Sequence, residues 1–242
     1  MKIVSWNCQG KFREKFELIM EENADIYVIQ ECENPEKTDN DKYKEFAGKN
    51  FFWVGDVHYK GLGIFANNGS NVSFKQIEGL EERFKNFIAL RVNDSFNLLG
   101  VWAMDEDKKL GLNKYVQMIH DYFDANYEKL FDENLIMCGD FNSNVVWNHE
   151  HRKKDNYNND KNQTFLNIKL NNKGLYSAYH DLTGEEQGEE SKATFYLQNN
   201  LEKPYHIDYV YAKKGRITKF EILDSEKWIK HSDHMPIVFE FD

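Results

Sequence analysis

Leu135-Ile136-Met137-Cys138-Gly139-Asp140-Phe141-Asn142-Ser143-Asn144 is an apolar run that ends abruptly in a carboxylate and amides. Such a run reads as a buried strand that delivers Asp140 and Asn142 to a loop at its end. Four other segments share this design. Met1-Lys2-Ile3-Val4-Ser5-Trp6 ends in Asn7, and Ile26-Tyr27-Val28-Ile29-Gln30 ends in Glu31. His206-Ile207-Asp208-Tyr209-Val210-Tyr211 carries an acid inside a strand-like run, and Ser232-Asp233-His234 precedes the apolar alternation from Met235 to Phe241. Five strand edges bearing Asn, Glu, Asp or His are how a rigid scaffold holds a hydrolytic site.

Outward from these runs, the chain alternates helix and strand at both ends of its first half. Phe12, Phe16, Ile19 and Met20 recur at helical spacing and predict a helix over Lys11 to Asn23. A strand over Asp25 to Glu31 follows, so the opening β-α-β unit predicts a parallel pair joined by a right-handed crossover. Phe51 to Val57, Gly61 to Ala66, Val72 to Gln76, Phe87 to Val92 and Phe96 to Met104 read as successive strands, punctuated by Gly69, Gly79 and Asn93-Asp94. A second helix is expected from about Leu112 to Leu130, with Tyr115, Ile119, Phe123 and Leu130 on one side. The polar stretch from Asn144 to Gln163, with Trp147, His149, His151, Arg152, Lys153 and Lys154, reads as a substrate-binding or gating loop. The acidic stretch Glu185 to Glu190 reads as a solvated loop. The fold class is α/β: two sheets face to face with helices outside.

A chain of 242 residues with 40% hydrophobic and 15% aromatic content is long enough for one α/β domain over residues 1–242. A formal charge of −10 argues against general attraction to nucleic acid or anionic membranes, although metal ligands account for several of the acids. No apolar segment approaches the roughly 20 residues that span a bilayer, and the N-terminus reads as a strand rather than a signal peptide. A cytoplasmic location is therefore expected, with no protein partner implied. Cys8, Cys32 and Cys138 show no CxxC spacing and read as small buried hydrophobes kept reduced, in preference to a thiolate metal cluster.

The polar groups at the strand ends are hard oxygen donors: Asn7, Glu31, Asp140, Asn142, Asp208 and Asp233, with one histidine, His234. That set suits Mg²⁺, with Mn²⁺ as substitute, and not zinc. Mg²⁺ takes few protein carboxylates and completes its shell with water and phosphate, so a phosphate ester is the substrate such a site favours. Asp233 and His234 are adjacent, so on a strand they face opposite ways; the carboxylate that orients His234 is expected from Asp208.

Taken together, these motifs resemble the endonuclease/exonuclease/phosphatase superfamily, the DNase I-like and exonuclease III-like metal-dependent phosphoesterases. Ser5-Trp6-Asn7 resembles its opening strand motif and Ile29-Gln30-Glu31 its glutamate motif. Gly139-Asp140-Phe141-Asn142, Ile207-Asp208-Tyr209 and Ser232-Asp233-His234-Met235-Pro236 resemble its three later motifs. The resemblance runs from residue 3 to residue 240 and implies a four-layer α/β/β/α sandwich of two packed mixed sheets. It implies Glu31 as principal metal ligand with Asn7 and Asp233 in or near the metal shell. His234 contacts the scissile phosphate and Asp208 orients it. Asp140 aligns or deprotonates the attacking water, a role assigned jointly with His234, and Asn142 binds a phosphate oxygen. The implied chemistry is in-line attack of water on phosphorus, without a covalent intermediate.

One position departs from the pattern. Where many relatives place His or Tyr on the middle strand, this chain has Trp102, whose indole donates a hydrogen bond but cannot act as a general acid. Either His120, His149, His151 or His180 is expected to protonate the leaving group instead, or that group needs little protonation, and a metal-bound water could also serve. Trp102, Trp147, His149, Thr194 and His206 are the candidate substrate contacts. A nuclease-type phosphodiesterase is the first reading, supported by Trp147 and the basic residues after it. A small-molecule phosphatase or phosphodiesterase, acting on sugar, nucleotide or lipid head-group phosphate, is the second. An inactive binding domain of the same fold is the third.

Overall fold

The computed structural model describes residues 1–105, 115–131, 134–148 and 160–242. One six-stranded sheet contains β1 (Lys2–Asn7), β2 (Ile26–Cys32), β3 (Phe51–Val57), β4 (Lys60–Ala66), β13 (Ile217–Ile222) and β14 (Ile237–Phe241), in the order β13-β14-β1-β2-β4-β3. The other contains β5 (Phe74–Gln76), β6 (Phe87–Val92), β7 (Phe96–Trp102), β8 (Ile136–Asp140), β9 (Leu175–Ser177) and β12 (Asp208–Lys213), in the order β5-β6-β7-β8-β12-β9. Both are mixed: β1 runs parallel to β2 and β7 parallel to β8, while the other pairings are antiparallel. A short hairpin of β10 (Phe195–Tyr196) and β11 (Pro204–Tyr205) stands apart.

Period-2 alternation explains the layering, because each central strand is apolar on both faces. Ile3, Val28, Ile64, Leu98, Ile136 and Val210 meet between the sheets. The opposite face of the first sheet, with Val4, Trp6, Tyr27 and Phe65, is covered by α1 (Phe16–Met20), α2 (Asp41–Ala47) and α6 (Ser225–Trp228) through Phe16, Tyr43, Phe46 and Trp228. The opposite face of the second, with Leu99, Met137, Tyr209 and Tyr211, is covered by α3 (Val116–Leu130) and α4 (Gln163–Asn171) through Ile119, Phe123, Leu166 and Leu170. The expected α/β/β/α sandwich is what forms. The sixth helix, α5 (Ala178–Thr183), follows β9 directly.

Several element boundaries differ from the expected ones. The helix expected over Lys11–Asn23 is a 3₁₀ turn, Phe12–Glu14, and then α1. The break is at Lys15 (φ −124°), whose ammonium reaches the carbonyls of Cys8 at 2.7 Å and His231 at 2.6 Å. Tertiary anchoring overrides helical periodicity there, and Met20 is left exposed. The helix expected from Leu112 is α3, which begins at Val116; residues 112–114 are outside those described. The strand expected from Val72 begins at Phe74, and the one expected to reach Met104 ends at Trp102.

The acidic loop is not simply solvated. The Glu190 side chain is 5% exposed, lies 3.2 Å from His180 Nε2 and accepts from the Gly188 amide at 3.0 Å. Burial pushes its carboxyl up, but the His180 and backbone hydrogen bonds outweigh burial and hold it down at about 2. Glu185 accepts from the Tyr179 hydroxyl at 2.5 Å and from the Ser191 hydroxyl and amide. Sequence composition describes charge, whereas these contacts come from α5 and the 141–147 loop folding against the same segment. All three cysteines are free and buried, and burial pushes each thiol up, so the neutral form is favoured.

Candidate active site

Strand polarity collects the polar residues at one rim of the sandwich. Asn7 ends β1, and β2 runs parallel to it, so Glu31 lies at the same rim. Asp140 ends β8 opposite Trp102 at the end of the parallel β7, and Asp208 begins the antiparallel β12 directly opposite Asp140. β14 is antiparallel to β1, so the loop that precedes it brings Ser232, Asp233 and His234 back to Asn7. The two sheets are tied together there: Asn7 Nδ2 donates to Asp140 Oδ2 at 3.0 Å.

Glu31 reaches the rim through a local defect. Between Gln30 and Cys32 the β2–β4 register slips, so one residue of β2 has no partner, and Glu31 takes φ +64°. A bulge of this kind re-aims a side chain and costs on the order of 1 kcal/mol in a non-glycine residue. Its carboxylate is 20% exposed and holds the Lys60 ammonium at 3.0 Å.

Asp140, Asp208 and His234 are buried. His234 Nδ1 lies 3.1 and 3.0 Å from the two Asp208 oxygens, while its Nε2 is 4.0 Å from Asp233 Oδ1. The expected Asp208–His234 pair forms between the start of β12 and the loop before β14, so strand alternation is not what sets it. Asp140 accepts from the Asn142 amide at 2.8 Å and, more weakly, from Asn142 Nδ2 at 3.4 Å. Asn142 adopts φ +49°, a left-handed conformation that asparagine tolerates well. The Asp208 backbone is placed by Thr194, whose hydroxyl accepts from the amides of Ile207 and Asp208, both at 3.0 Å. Trp6 Nε1 donates to the His234 carbonyl at 3.0 Å, and Ser232 Oγ both donates to the Asn7 carbonyl and accepts from the His234 amide.

These contacts set the charges. Burial pushes the Asp140 carboxyl up, reinforced by Asp208 and opposed by His234 and Asn7, to about 7. Burial would push His234 down, but the Asp208 and Asp140 carboxylates outweigh it and hold the imidazolium at about 10. The rim thus presents a fixed cation beside a carboxyl poised near neutrality. Asp208→Asn is expected to bring the His234 proton loss well down toward the ordinary imidazole value of about 6.5, followed by NMR titration of the ring in metal-free protein. An imidazolium still intact above about pH 8 in that variant refutes the pairing as its cause.

Asp140, Asp208 and His234 offer ligand atoms all within 4.8 Å of one another, a set able to hold a metal ion. An imidazolium has no lone pair for a cation, however, and its charge already neutralises these two acids. Glu31, Asn7 and Asp233, the expected metal ligands, stand at the same rim and carry oxygen donors that a divalent ion accepts. Glu31 already faces a cationic group, and its charge is felt at Asp233, whose carboxyl burial pushes up.

The remaining candidates fall in different places. Trp102 is 4% exposed in the inter-sheet core, with the Lys60 ammonium 5.6 Å from its ring centroid. Trp147 is half-buried in a 3₁₀ turn capped by Asn144 and packs on Tyr205 at 4.9 Å. Thr194 is enclosed and holds Asp208 and Met235 rather than facing outward. His206 is also buried, with Nδ1 on the Lys192 carbonyl; burial pushes it down, and it lines a cavity of about 330 Å³ with Asn144, Glu190 and Tyr205. His149 and His151 lie outside the described residues, as do Arg152, Lys153 and Lys154. Of the alternative proton donors, His120 is buried on α3 against the Asn162 carbonyl and held at about 4 by burial, and His180 is paired with Glu190.

Sequence reasoning missed Lys60, Lys15 and Asn144. Asn144 Nδ2 donates to the His206 carbonyl at 2.8 Å and contacts Glu190 and the Tyr209 hydroxyl, tying the loop after Asp140 to the start of β12. Only the β2–β4 pairing could have flagged Lys60, since it places the start of β4 beside Glu31.

Solved structures share this fold over the whole chain. The 3′ phosphatase NExo from Neisseria bound to a product DNA hairpin is 20% identical, with a TM-score of 0.68 over 100% of this chain and 99% of that one. The 3′–5′ exonuclease NExo from Neisseria meningitidis is 19% identical, with a TM-score of 0.67 over 100% of both chains. An AP endonuclease from Archaeoglobus fulgidus is 18% identical, with a TM-score of 0.69 over 100% of this chain and 99% of that one. No family model and no curated protein matches the sequence. At these identities the likeness is one of fold: the chain has the DNase I-like sandwich fold of these three structures.

Proposed function

We propose that this protein is a divalent-metal-dependent phosphoesterase that hydrolyses a P–O bond, with a nucleic-acid phosphodiester or terminal phosphate as its preferred substrate. The observation that carries this reading is the buried Asp140–Asp208–His234 cluster at a rim that also bears Asn7, Glu31 and Asp233. The whole chain, residues 1–242, acts as one catalytic domain. Its three buried thiols suit a reducing, cytoplasmic setting. Among the described residues no helix is long and apolar enough to cross a membrane.

Asn7, Glu31 and Asp233 would hold Mg²⁺, or Mn²⁺ in its place, which would supply Lewis-acid charge to the phosphate. His234, kept cationic by Asp208, binds a non-bridging oxygen as negative charge develops. Asp140 accepts a proton from the attacking water, for which a carboxyl near 7 is matched to neutral pH. Asn142, held by Asp140 and by the Ala103 carbonyl at 3.2 Å, orients the phosphate through its amide. Water attacks phosphorus in line with the leaving oxygen, and no protein group becomes covalently attached.

The test is Mg²⁺-dependent hydrolysis of abasic-site duplex DNA, single-stranded DNA and RNA, a bis-aryl phosphodiester and phosphomonoesters, each beside Glu31→Ala. Polymer cleavage that is lost in the variant is the expected result. Activity confined to small esters would make the protein a metabolite phosphatase, and Mg²⁺-independent cleavage or full activity in Glu31→Ala overturns the site assignment.

A further inference from the structure

The charges at the rim do not balance for an anionic substrate. Among the described residues, Glu31, Asp140, Asp208 and Asp233 stand there with the His234 ring, which lies 3.0 Å from Asp208 and 4.0 Å from Asp233. One divalent ion still leaves the cluster close to neutral, whereas a phosphodiester in the course of hydrolysis gathers more negative charge. A second mobile cation is needed, and Trp102 at the end of β7 cannot be one.

Lys60 is placed to serve. It begins β4, and the bulge at Glu31 puts the two side chains side by side across the β2–β4 pairing. Its ammonium lies 3.0 Å from Glu31 Oε2 and 5.6 Å from the centre of the Trp102 ring, with 40% of the side chain exposed. Trp102 is in register with Asp140, so the ring that the Lys60 ammonium approaches belongs to the strand pair that carries Asp140 to the rim. The ring face gives the ammonium a second resting place that is attractive but not a rigid bond. Lys15, by contrast, is committed to the Cys8 and His231 carbonyls.

We propose that Lys60 is a substrate-binding residue: its ammonium rests on Glu31 until a divalent cation takes that carboxylate, and then moves to a non-bridging phosphate oxygen. The inference rests on the proposed phosphoesterase reading and deepens it. An ammonium and a divalent ion repel each other on one carboxylate, so Lys60 leaves Glu31 when the cation binds. Its flexible four-carbon stem lets it do so without backbone movement. Metal and phosphate binding are thereby coupled through one side chain.

The experiment is calorimetric titration of Mg²⁺ alone, and then of inorganic phosphate at saturating Mg²⁺, into wild type, Lys60→Met and Lys60→Arg. Loss of a partly exposed competing ion pair should tighten Mg²⁺ binding in Lys60→Met about threefold. Loss of a charge-assisted hydrogen bond should weaken phosphate binding about tenfold, with Lys60→Arg falling between. Tighter Mg²⁺ binding without weaker phosphate binding overturns the substrate role, and unchanged values in both titrations overturn the proposal entirely. A wild type that takes up Mg²⁺ and hydrolyses the panel, with Lys60→Met unchanged, refutes Lys60 alone. A wild type that binds no divalent ion refutes the phosphoesterase reading and this inference with it.

Discussion

Replacing His234 is expected to lower kcat/KM by about 10²–10⁴-fold, the range in which proton transfer or charge stabilisation by a positioned side chain contributes. Among the described residues no other imidazole is paired with Asp208. His234 is the imidazolium between Asp208 at 3.0 Å and Asp140, and its second nitrogen faces Asp233 at 4.0 Å. His234→Ala also leaves two buried acids without their counter-charge, which costs about 3–5 kcal/mol when one partner of a buried pair is removed. His234→Asn also removes the charge but keeps a donor that can reach Asp208, so less of the buried pairing is lost than in alanine. Steady-state kinetics with thermal unfolding on both variants should show activity lost in each and stability lost mainly in alanine. Turnover within tenfold of wild type in the folded asparagine variant would remove His234 from the chemistry.

Gly139→Ala is expected to destabilise the fold by about 3 kcal/mol or more, from overpacking added to backbone strain. Gly139 stands in the middle of the second sheet, one residue before Asp140, with φ +142°. A Cβ there would lie 2.0 Å from the Val101 carbonyl oxygen and 2.9 Å from the Val101 carbonyl carbon. Neither is the tip of a flexible side chain. Relief requires β7 and β8 to separate, and that same pairing aligns Trp102 with Asp140. Denaturant unfolding should therefore show a large drop in midpoint, and the residual folded fraction should hydrolyse slowly. A midpoint within about 0.5 kcal/mol of wild type would mean that β8 accommodates a side chain that this geometry forbids.

The layered architecture was legible because periodicity reports burial directly. Val28, Ile64, Leu98 and Ile136 stand on one side of their strands and Tyr27, Phe65, Leu99 and Met137 on the other, so both faces must be covered. The rim residues were legible for a related reason, since each follows an apolar run and a polar residue there has nowhere to go but the loop. The pairing of His234 with Asp208 is expected on strand alternation, although His234 lies in the loop before β14. Element ends were less legible. The break at Lys15 depends on carbonyls 7 and 216 residues away, which no local pattern contains.

The amino-acid sequence by itself determined the two-sheet sandwich and the chemical character of the rim, because burial pattern and residue type are local properties. Tertiary structure alone decided the charges and the partners. Asp140 is held near neutrality because burial and Asp208 act on it through space, and Glu190 is ionised inside the protein because α5 and the 141–147 loop close over it. Lys60 becomes a neighbour of Glu31 through a one-residue bulge, a register shift that leaves no mark in composition or periodicity. Electrostatic environment depends on distance in space rather than separation along the chain, and only the folded sheets bring those distances down to 3 Å.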